Sequence, residues 1–294
     1  MDKSGENMKL IALTLLLSAF SGMAFACGEN GGFLPENDMR IPVGAKTTGG
    51  LTEAQFNAVI DKLEPIYSPV VANRGGKLKI NRKWDDATVN ANATQFFGTW
   101  TVNMYGGLAR HEKITADGFA LVLCHELGHH LGGAPKVANF MMKWASNEGE
   151  SDYFATLKCL RTAWWNDNNE RVVAKLKAPE TLTAACSKAF GDKAERAICV
   201  RGGMAGASVA GLFAAMRNKP EAQFNTPDAA IVTKTDDAHP AHQCRLDTYF
   251  QGALCEKSHT EDVSQKEEVQ GTCHGSTGQT SGLRPVCWFK PKVL

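Results

Sequence analysis

The feature that most constrains this chain is the segment His125–His129, which reads His-Glu-Leu-Gly-His. Residues four apart on an α-helix share one face, so both imidazoles can point at a single ion. Apolar spacing predicts a helix from Thr115 to Leu131, and the Gly-Gly-Ala-Pro sequence that follows would end it. The pattern therefore predicts a helix that presents two metal ligands, with the Glu126 carboxylate beside them.

These residue types suit a particular chemistry. Two neutral imidazoles favour zinc, which lowers the pKa of bound water to about 7 and polarises a carbonyl. Glu126 is the candidate general base, which would take a proton from that water and pass it to the leaving amine. We therefore expect one Zn²⁺ per chain and hydrolysis of peptide bonds in a peptide or unfolded protein.

A catalytic zinc also needs a third protein ligand. In metzincins this is a histidine six residues after the second one, but Pro135 stands at that position and has no donor atom. Downstream, Glu148 and Asp152 share a helix face, whereas Glu150 lies about 200° round from Glu148. We expect Glu148 to bind the metal. Asp152 would then accept the outer N–H of His125 and orient its ring.

Three further motifs carry a resemblance to known families. The segment Asn147–Asp152 resembles the N-E-x-x-S-D motif of thermolysin. Glu148 and Asp152, followed by Ala155, also resemble the E-x-x-A-D motif of the CAAX prenyl protease family and its soluble periplasmic relatives. His239-Pro240 followed by Arg245 is similar to the H-P-x-x-x-R segment of that second family. The chain thus resembles the gluzincin zinc metallopeptidases in patches from Gly106 to Asp247.

The resemblance implies an α+β fold. A zincin-like lobe, with a small mixed sheet and the motif helix, would precede a mainly helical lobe that carries Glu148. An edge strand near Thr99 to Gly107 would pair with an extended substrate. His239 and Arg245 are the candidate catalytic residues that stabilise the oxyanion, and Tyr153 is a third candidate.

Apolar periodicity and composition predict the remaining helices and strands. Apolar residues at helical spacing predict a helix from Leu51 to Tyr67 capped by Thr52, and another from about Gly149 to Trp165. Composition and alternation predict strands at Lys77–Ile80 and, as antiparallel partners, within Thr88–Gly106. The Gly- and Ala-rich run Gly202–Met216 is too short for a membrane span, which leaves a packed core helix and no integral span.

The N-terminus predicts export. Met8-Lys9 precedes the apolar run Leu10–Phe20, and Ala24-Phe25-Ala26 supplies a cleavage pattern, which together indicate a signal peptide over residues 1–26. The acids between Asp2 and Asn7 suit a signal poorly and leave Met8 as an alternative start. Lipidation of Cys27 is the less favoured alternative, since a lipobox usually contains a leucine. A periplasmic or secreted location is expected.

Nine cysteines fit that location, because disulfides persist in oxidising compartments. Local spacing suggests the pairs Cys186–Cys199, Cys244–Cys255 and Cys273–Cys287, and leaves Cys27, Cys124 and Cys159. Cys124 is expected to be packed or disulfide-bonded rather than metal-bound. The predicted organisation is a signal peptide (1–26), a zincin lobe (27–135), a helical lobe (136–255) and a disulfide-stapled tail (256–294).

Net charge bears on the expected partners. A formal net charge of +1 gives no electrostatic reason to expect nucleic acid, so none is expected. Two alternatives to a general endopeptidase stay open: an envelope binding or assembly factor with a non-catalytic metal site, and a secreted effector peptidase with one narrow target. The sequence does not indicate an oligomeric state.

Overall fold

The computed structural model describes residues 32–46, 49–138 and 143–291. The predicted signal peptide and Cys27 lie outside these ranges. The fold is mixed α+β with a small three-stranded sheet, as predicted at that level. In chain order the elements are α1 (Glu53–Asn73), β1 (Lys77–Lys83), β2 (Ala91–Phe96), β3 (Thr99–Tyr105), α2 (Gly106–Ala109), α3 (Ala116–Leu131), α4 (Glu148–Phe154), α5 (Leu160–Trp164), α6 (Asn169–Val173), α7 (Glu180–Ala189), α8 (Lys193–Met216) and α9 (His242–Leu254).

The sheet has the strand order β1-β3-β2, with β3 parallel to β1 and antiparallel to β2. The prediction of a mixed sheet is confirmed. The prediction that Thr99–Gly107 forms an edge strand is wrong, because the tight β2–β3 hairpin covers one side of β3 and β1 pairs along the other. The edge strands are therefore β1 and β2, and β2 packs against α3.

The helix α1 begins where the sequence predicts and runs further. Thr52 and Gln55 form a capping box that satisfies the first backbone N–H groups. Phe56, Ile60 and Leu63 are fully buried along one face, and each such side chain stabilises the fold by about 1.5–3 kcal/mol. The helix continues past Tyr67 to Asn73 and packs against α3.

The motif helix α3 is buried along almost its whole length, from Gly118 to Leu131. Thr115 caps its start by accepting a hydrogen bond from the Gly118 N–H. Gly128 allows α4 to pack directly on α3, since a Cβ there would lie 2.9 Å from the Cα of Ser151. A helix buried on all sides is held rigidly, which fixes the direction of its histidine side chains.

The helical stretch predicted from Gly149 to Trp165 is α4, a π-helical turn over Ala155–Cys159, and α5. Such a turn widens the helix by one residue. The disulfide Cys124–Cys159 joins this turn to α3. The helix α4, which begins with Glu148, is thus attached to the motif helix both by packing and by a covalent bond.

The other disulfides correct two predictions. Cys186–Cys199 is confirmed, but the remaining pairs are Cys244–Cys287 and Cys255–Cys273. The predicted Cys244–Cys255 pair fails because α9 separates those residues by about 16 Å along its axis, whereas a disulfide needs Cα atoms within about 7 Å. Four intramolecular disulfides indicate an oxidising, extracellular or periplasmic environment.

The run Gly202–Met216 belongs to α8, which begins nine residues earlier at Lys193. By length and composition α8 is able to cross a membrane, yet 83% of its apolar window is buried inside the protein. It packs against α3 and α9. The division into lobes at residues 135 and 255 stays a prediction.

Candidate metal centre

Three buried side chains converge where α3 meets the start of α4. His125, His129 and Glu148 each offer one ligand atom, and these atoms lie within 4.8 Å of one another. His125 Nε2 is 3.4 Å from Glu148 Oε2, and His129 Nε2 is 3.7 Å from Glu148 Oε1. Ligands about 2.0–2.1 Å from a tetrahedral ion stand about 3.3–3.4 Å apart. The group could therefore hold one metal ion.

Hydrogen bonds select the Nε2 atoms as ligands. His125 Nδ1 lies 2.6 Å from Asp152 Oδ1, and His129 Nδ1 lies 2.8 Å from the carbonyl oxygen of Ser146. A carbonyl, like an ionised carboxylate, only accepts, so each Nδ1 carries the hydrogen and donates it. Asp152 thus contacts His125 as the sequence predicts. The role of Ser146 could not be predicted, since a backbone carbonyl has no side-chain signature.

The atoms that face one another lack partners. Within the described residues, His125 Nε2 and both carboxylate oxygens of Glu148 are buried without a hydrogen-bond partner. Leaving such atoms unsatisfied costs about 1–3 kcal/mol each. A cation coordinated by them would remove this cost, so the donor set fits a bound metal ion.

Electrostatics around the cluster favour a positive ion. Burial lowers the pKa of His129 to about 4, so its ring is neutral at pH 7. Burial opposes the charging of His125, but the Asp152 and Glu148 carboxylates outweigh it and raise the pKa to about 9. For Glu148, burial is outweighed by the nearby histidines, which hold its pKa well below the usual range. A metal ion would replace the proton on His125.

Glu126 completes the centre. Its two carboxylate oxygens are buried and have no hydrogen-bond partner in the described part of the chain. Burial raises its pKa to about 8, and His125 and Glu148 are near enough to contribute to the shift. A carboxyl group with a proton affinity in this range can hold a proton and release it near neutral pH.

His239 joins the centre at its more open side. Its Nε2 is 3.4 Å from Glu148 Oε2 and donates to the Gly32 carbonyl oxygen at 2.9 Å. Its side chain is 17% exposed, whereas those of His125, His129 and Glu148 are nearly inaccessible. The structure therefore brings His239 to the candidate ligands, as the sequence predicts.

Arg245 lies on the other side of His125 and is fully buried. Its Nη2 donates to Asp152 Oδ1 at 2.6 Å, and its guanidinium packs over the Phe33 ring. Tyr249, one helical turn later, donates to the same Asp152 oxygen at 2.8 Å. This placement favours a positioning role for Arg245 over the predicted contact with substrate. Tyr249 was missed, although its i+4 spacing from Arg245 was a usable signal.

Other residues near the motif have structural partners. The Tyr153 hydroxyl donates to the Gly282 carbonyl, so it is held by the C-terminal tail. His130 stacks between the rings of Trp100 and Trp144, which agrees with a structural role. Neither residue contributes a ligand atom to the cluster.

Comparisons with family models, with curated proteins and with solved structures found no match to this chain. The buried cluster and the motifs that form it are therefore what indicates a function. Similar histidine and carboxylate groups also occur in purely structural metal sites, so the unpartnered Glu126 is the most informative residue.

Proposed function

We propose that this protein is an exported, zinc-dependent metalloendopeptidase of the gluzincin type. The observation that carries the proposal is the convergence of His125, His129 and Glu148 next to the unpartnered, buried carboxylate of Glu126. Two histidines and one glutamate form a known ligand set for catalytic zinc. Calcium and magnesium prefer sites made of oxygen ligands, so the nitrogen atoms here favour zinc.

Individual residues of the chain have separate roles in the proposed hydrolysis. When bound, zinc would supply a lowered pKa for water and polarisation of the scissile carbonyl. Glu126 accepts the proton of the attacking water and returns it to the leaving amine. His239 lies at the more open side of Glu148, and its Nε2–H would donate to the developing oxyanion by exchanging its bond to the Gly32 carbonyl oxygen. Asp152 and the Ser146 carbonyl keep the two histidine rings in a ligating orientation.

The free edge of β2 supports a peptide substrate. The Ala91 carbonyl points outward, since it accepts a hydrogen bond from Phe33 N–H at 2.8 Å. Backbone groups alternate along a strand, so those of Ala93 and Gln95 also point outward. Ala93 is fully buried, whereas Gln95 is partly exposed and makes no backbone hydrogen bond on that side with any residue that the structure describes. An extended chain would therefore add to the sheet at the Gln95 end of β2, which gives affinity with loose sequence demands.

The test is the Glu126→Gln variant. It removes the proton acceptor and keeps the shape of the side chain, so zinc should remain stoichiometric while cleavage of unfolded casein falls about 10²–10⁴-fold. Elemental analysis and a casein assay with and without chelator measure the two quantities. Glu53→Gln, on the exposed first turn of α1, is the matched control and should change neither.

The outcomes separate the alternatives. Cleavage retained by Glu126→Gln would refute the mechanism. A wild-type protein that binds zinc but leaves casein intact would point to the peptidase with one narrow target. A protein without zinc would favour the envelope binding factor, although a binding site has no need of Glu126.

A further inference from the structure

The hairpin between β2 and β3 ends in two phenylalanines that contribute little to the core. Phe97 is 90% exposed and Phe96 is 44% exposed. Their rings contact each other, with centroids 4.2 Å apart. Single exposed apolar residues are common on protein surfaces. Two adjacent aromatic rings on a projecting turn are unusual, and they suggest contact with something outside the fold.

The backbone conformation of the turn also indicates an external contact. Phe97 and Gly98 have φ angles of +43° and +74°, the signature of a type I′ turn. Asn-Gly is the sequence that such turns favour, and a bulky residue such as Phe97 is strained at positive φ. The chain therefore places an unfavourable residue where its side chain gains almost nothing from the interior. Local strain of this kind is concentrated at functional positions.

Positive charge lies beside the aromatic tip. The Lys77 N–H donates to the Gly98 carbonyl at 2.8 Å, and the register places Lys77 and Phe96 on the same face of the sheet. Lys79, two residues along β1, shares that face. Both lysines are exposed, and neither forms an ion pair with a residue that the structure describes. The three strands contain no acidic residue.

We propose that this tip, Phe96 and Phe97, docks the protein on an anionic phospholipid surface. The phenylalanines enter the boundary between headgroups and acyl chains, and Lys77 and Lys79 contact the anionic headgroups. Interfacial binding combines buried apolar area with attraction to anionic lipid in this way. A projecting tip with cations behind it suits a membrane better than a protein partner, whose apolar anchors are usually received in a pocket.

The test measures co-flotation of the full exported protein with vesicles of phosphatidylcholine, with and without phosphatidylglycerol. Phe97→Asn gives the turn its favoured residue, so the variant should fold with an equal or higher Tm and yet bind anionic vesicles about tenfold more weakly or worse. Ile231→Asn changes another apolar residue, 76% exposed, and should leave binding unchanged. Lys77→Glu with Lys79→Glu, or high salt, should abolish the preference for anionic vesicles.

Several results would overturn the proposal: no flotation of the wild-type protein, wild-type binding by Phe97→Asn, or equal binding to neutral and anionic vesicles. If Phe97→Asn raised KM for casein but left flotation unchanged, the tip would contact protein substrate instead of lipid. Membrane docking does not depend on the proposed peptidase activity. Glu126→Gln should float like the wild type, so a failure of either proposal is visible without the other.

Discussion

The two helices that form the candidate metal centre are held in different ways. α3, with His125 and His129, is surrounded by apolar side chains of the main core. α4 has seven residues, and the buried residues around Glu148 in its first turns are mostly polar. Apolar packing thus fixes two of the candidate ligands, His125 and His129, whereas the position of Glu148 depends on hydrogen bonds and ion pairs. The second arrangement is more sensitive to single changes, because a buried polar group that loses its partner is costly.

The C-terminal tail supplies much of the support for α4. Arg284 forms a buried ion pair with Glu150, with contacts of 2.5 and 2.9 Å. The indole of Trp288 lies against Gly149, where a Cβ would overlap the ring, and its Nε1 donates to Thr248 of α9. The two residues that follow Glu148 are therefore held by the tail, and the position of the Glu148 carboxylate should depend on it.

The largest expected effect is a difference between variants of Glu148 and Glu150, two acidic residues of α4. Glu148→Gln should lose stoichiometric zinc and all cleavage, because it removes a charged ligand. Glu150→Gln should keep zinc while folded, but its free energy of unfolding should fall by about 3–5 kcal/mol, since Arg284 loses its buried partner. Elemental analysis and denaturant unfolding measure the two effects. The reverse pattern would remove Glu148 from the ligand set.

A second comparison uses two disulfides. Replacing Cys244 and Cys287 by alanine should lower the free energy of unfolding by about 2–5 kcal/mol and weaken zinc binding about 10–100-fold. The effect on zinc is expected because these cysteines precede Arg245 and Trp288, which support the centre from both sides.

The matched control replaces Cys186 and Cys199, which join α7 to α8 within a separate apolar cluster. This variant should also lose stability. Its affinity for zinc, measured by competition with a chelating dye, should equal that of the wild type. Equal weakening of zinc in both variants would show that the centre responds to general loosening rather than to the tail.

Much of the centre could be predicted because its residues lie in two short segments of the sequence. The spacing from His125 to His129 and the segment Asn147–Asp152 each fit within two helical turns, and helical geometry alone decides which side chains share a face. Asp152 was assigned to His125 on that basis, and the structure places them 2.6 Å apart. The prediction needed only that both helices pack together, which Gly128 permits.

The missed features join distant parts of the chain. Arg284 is 134 residues from Glu150, and nothing in the local sequence of either residue indicates the other. The resemblance to zincin peptidases predicts β3 at the edge of the sheet, whereas its central position depends on pairing with β1, which no local pattern indicates. Cys244 was assigned to its nearest neighbour in sequence, although α9 holds the two apart. Helix length would have excluded that pair.

The smallest expected effect contrasts two buried tyrosines. Tyr249 donates to Asp152, which orients His125, whereas Tyr153 donates to the Gly282 carbonyl in the tail. Each change to phenylalanine should lower the free energy of unfolding by about 0.5–1.5 kcal/mol. Only Tyr249→Phe should also weaken zinc binding, by less than about tenfold, because Arg245 still holds Asp152.

Zinc competition and denaturant unfolding on the same preparations distinguish the two tyrosines. If Tyr153→Phe weakened zinc binding and Tyr249→Phe did not, the tail would control the geometry of the centre more strongly than the hydrogen bonds behind His125. The contrast between His125 and His129, fixed by the apolar core, and Glu148, fixed by polar contacts, would then hold. Tyr249 would contribute to packing and not to the orientation of His125.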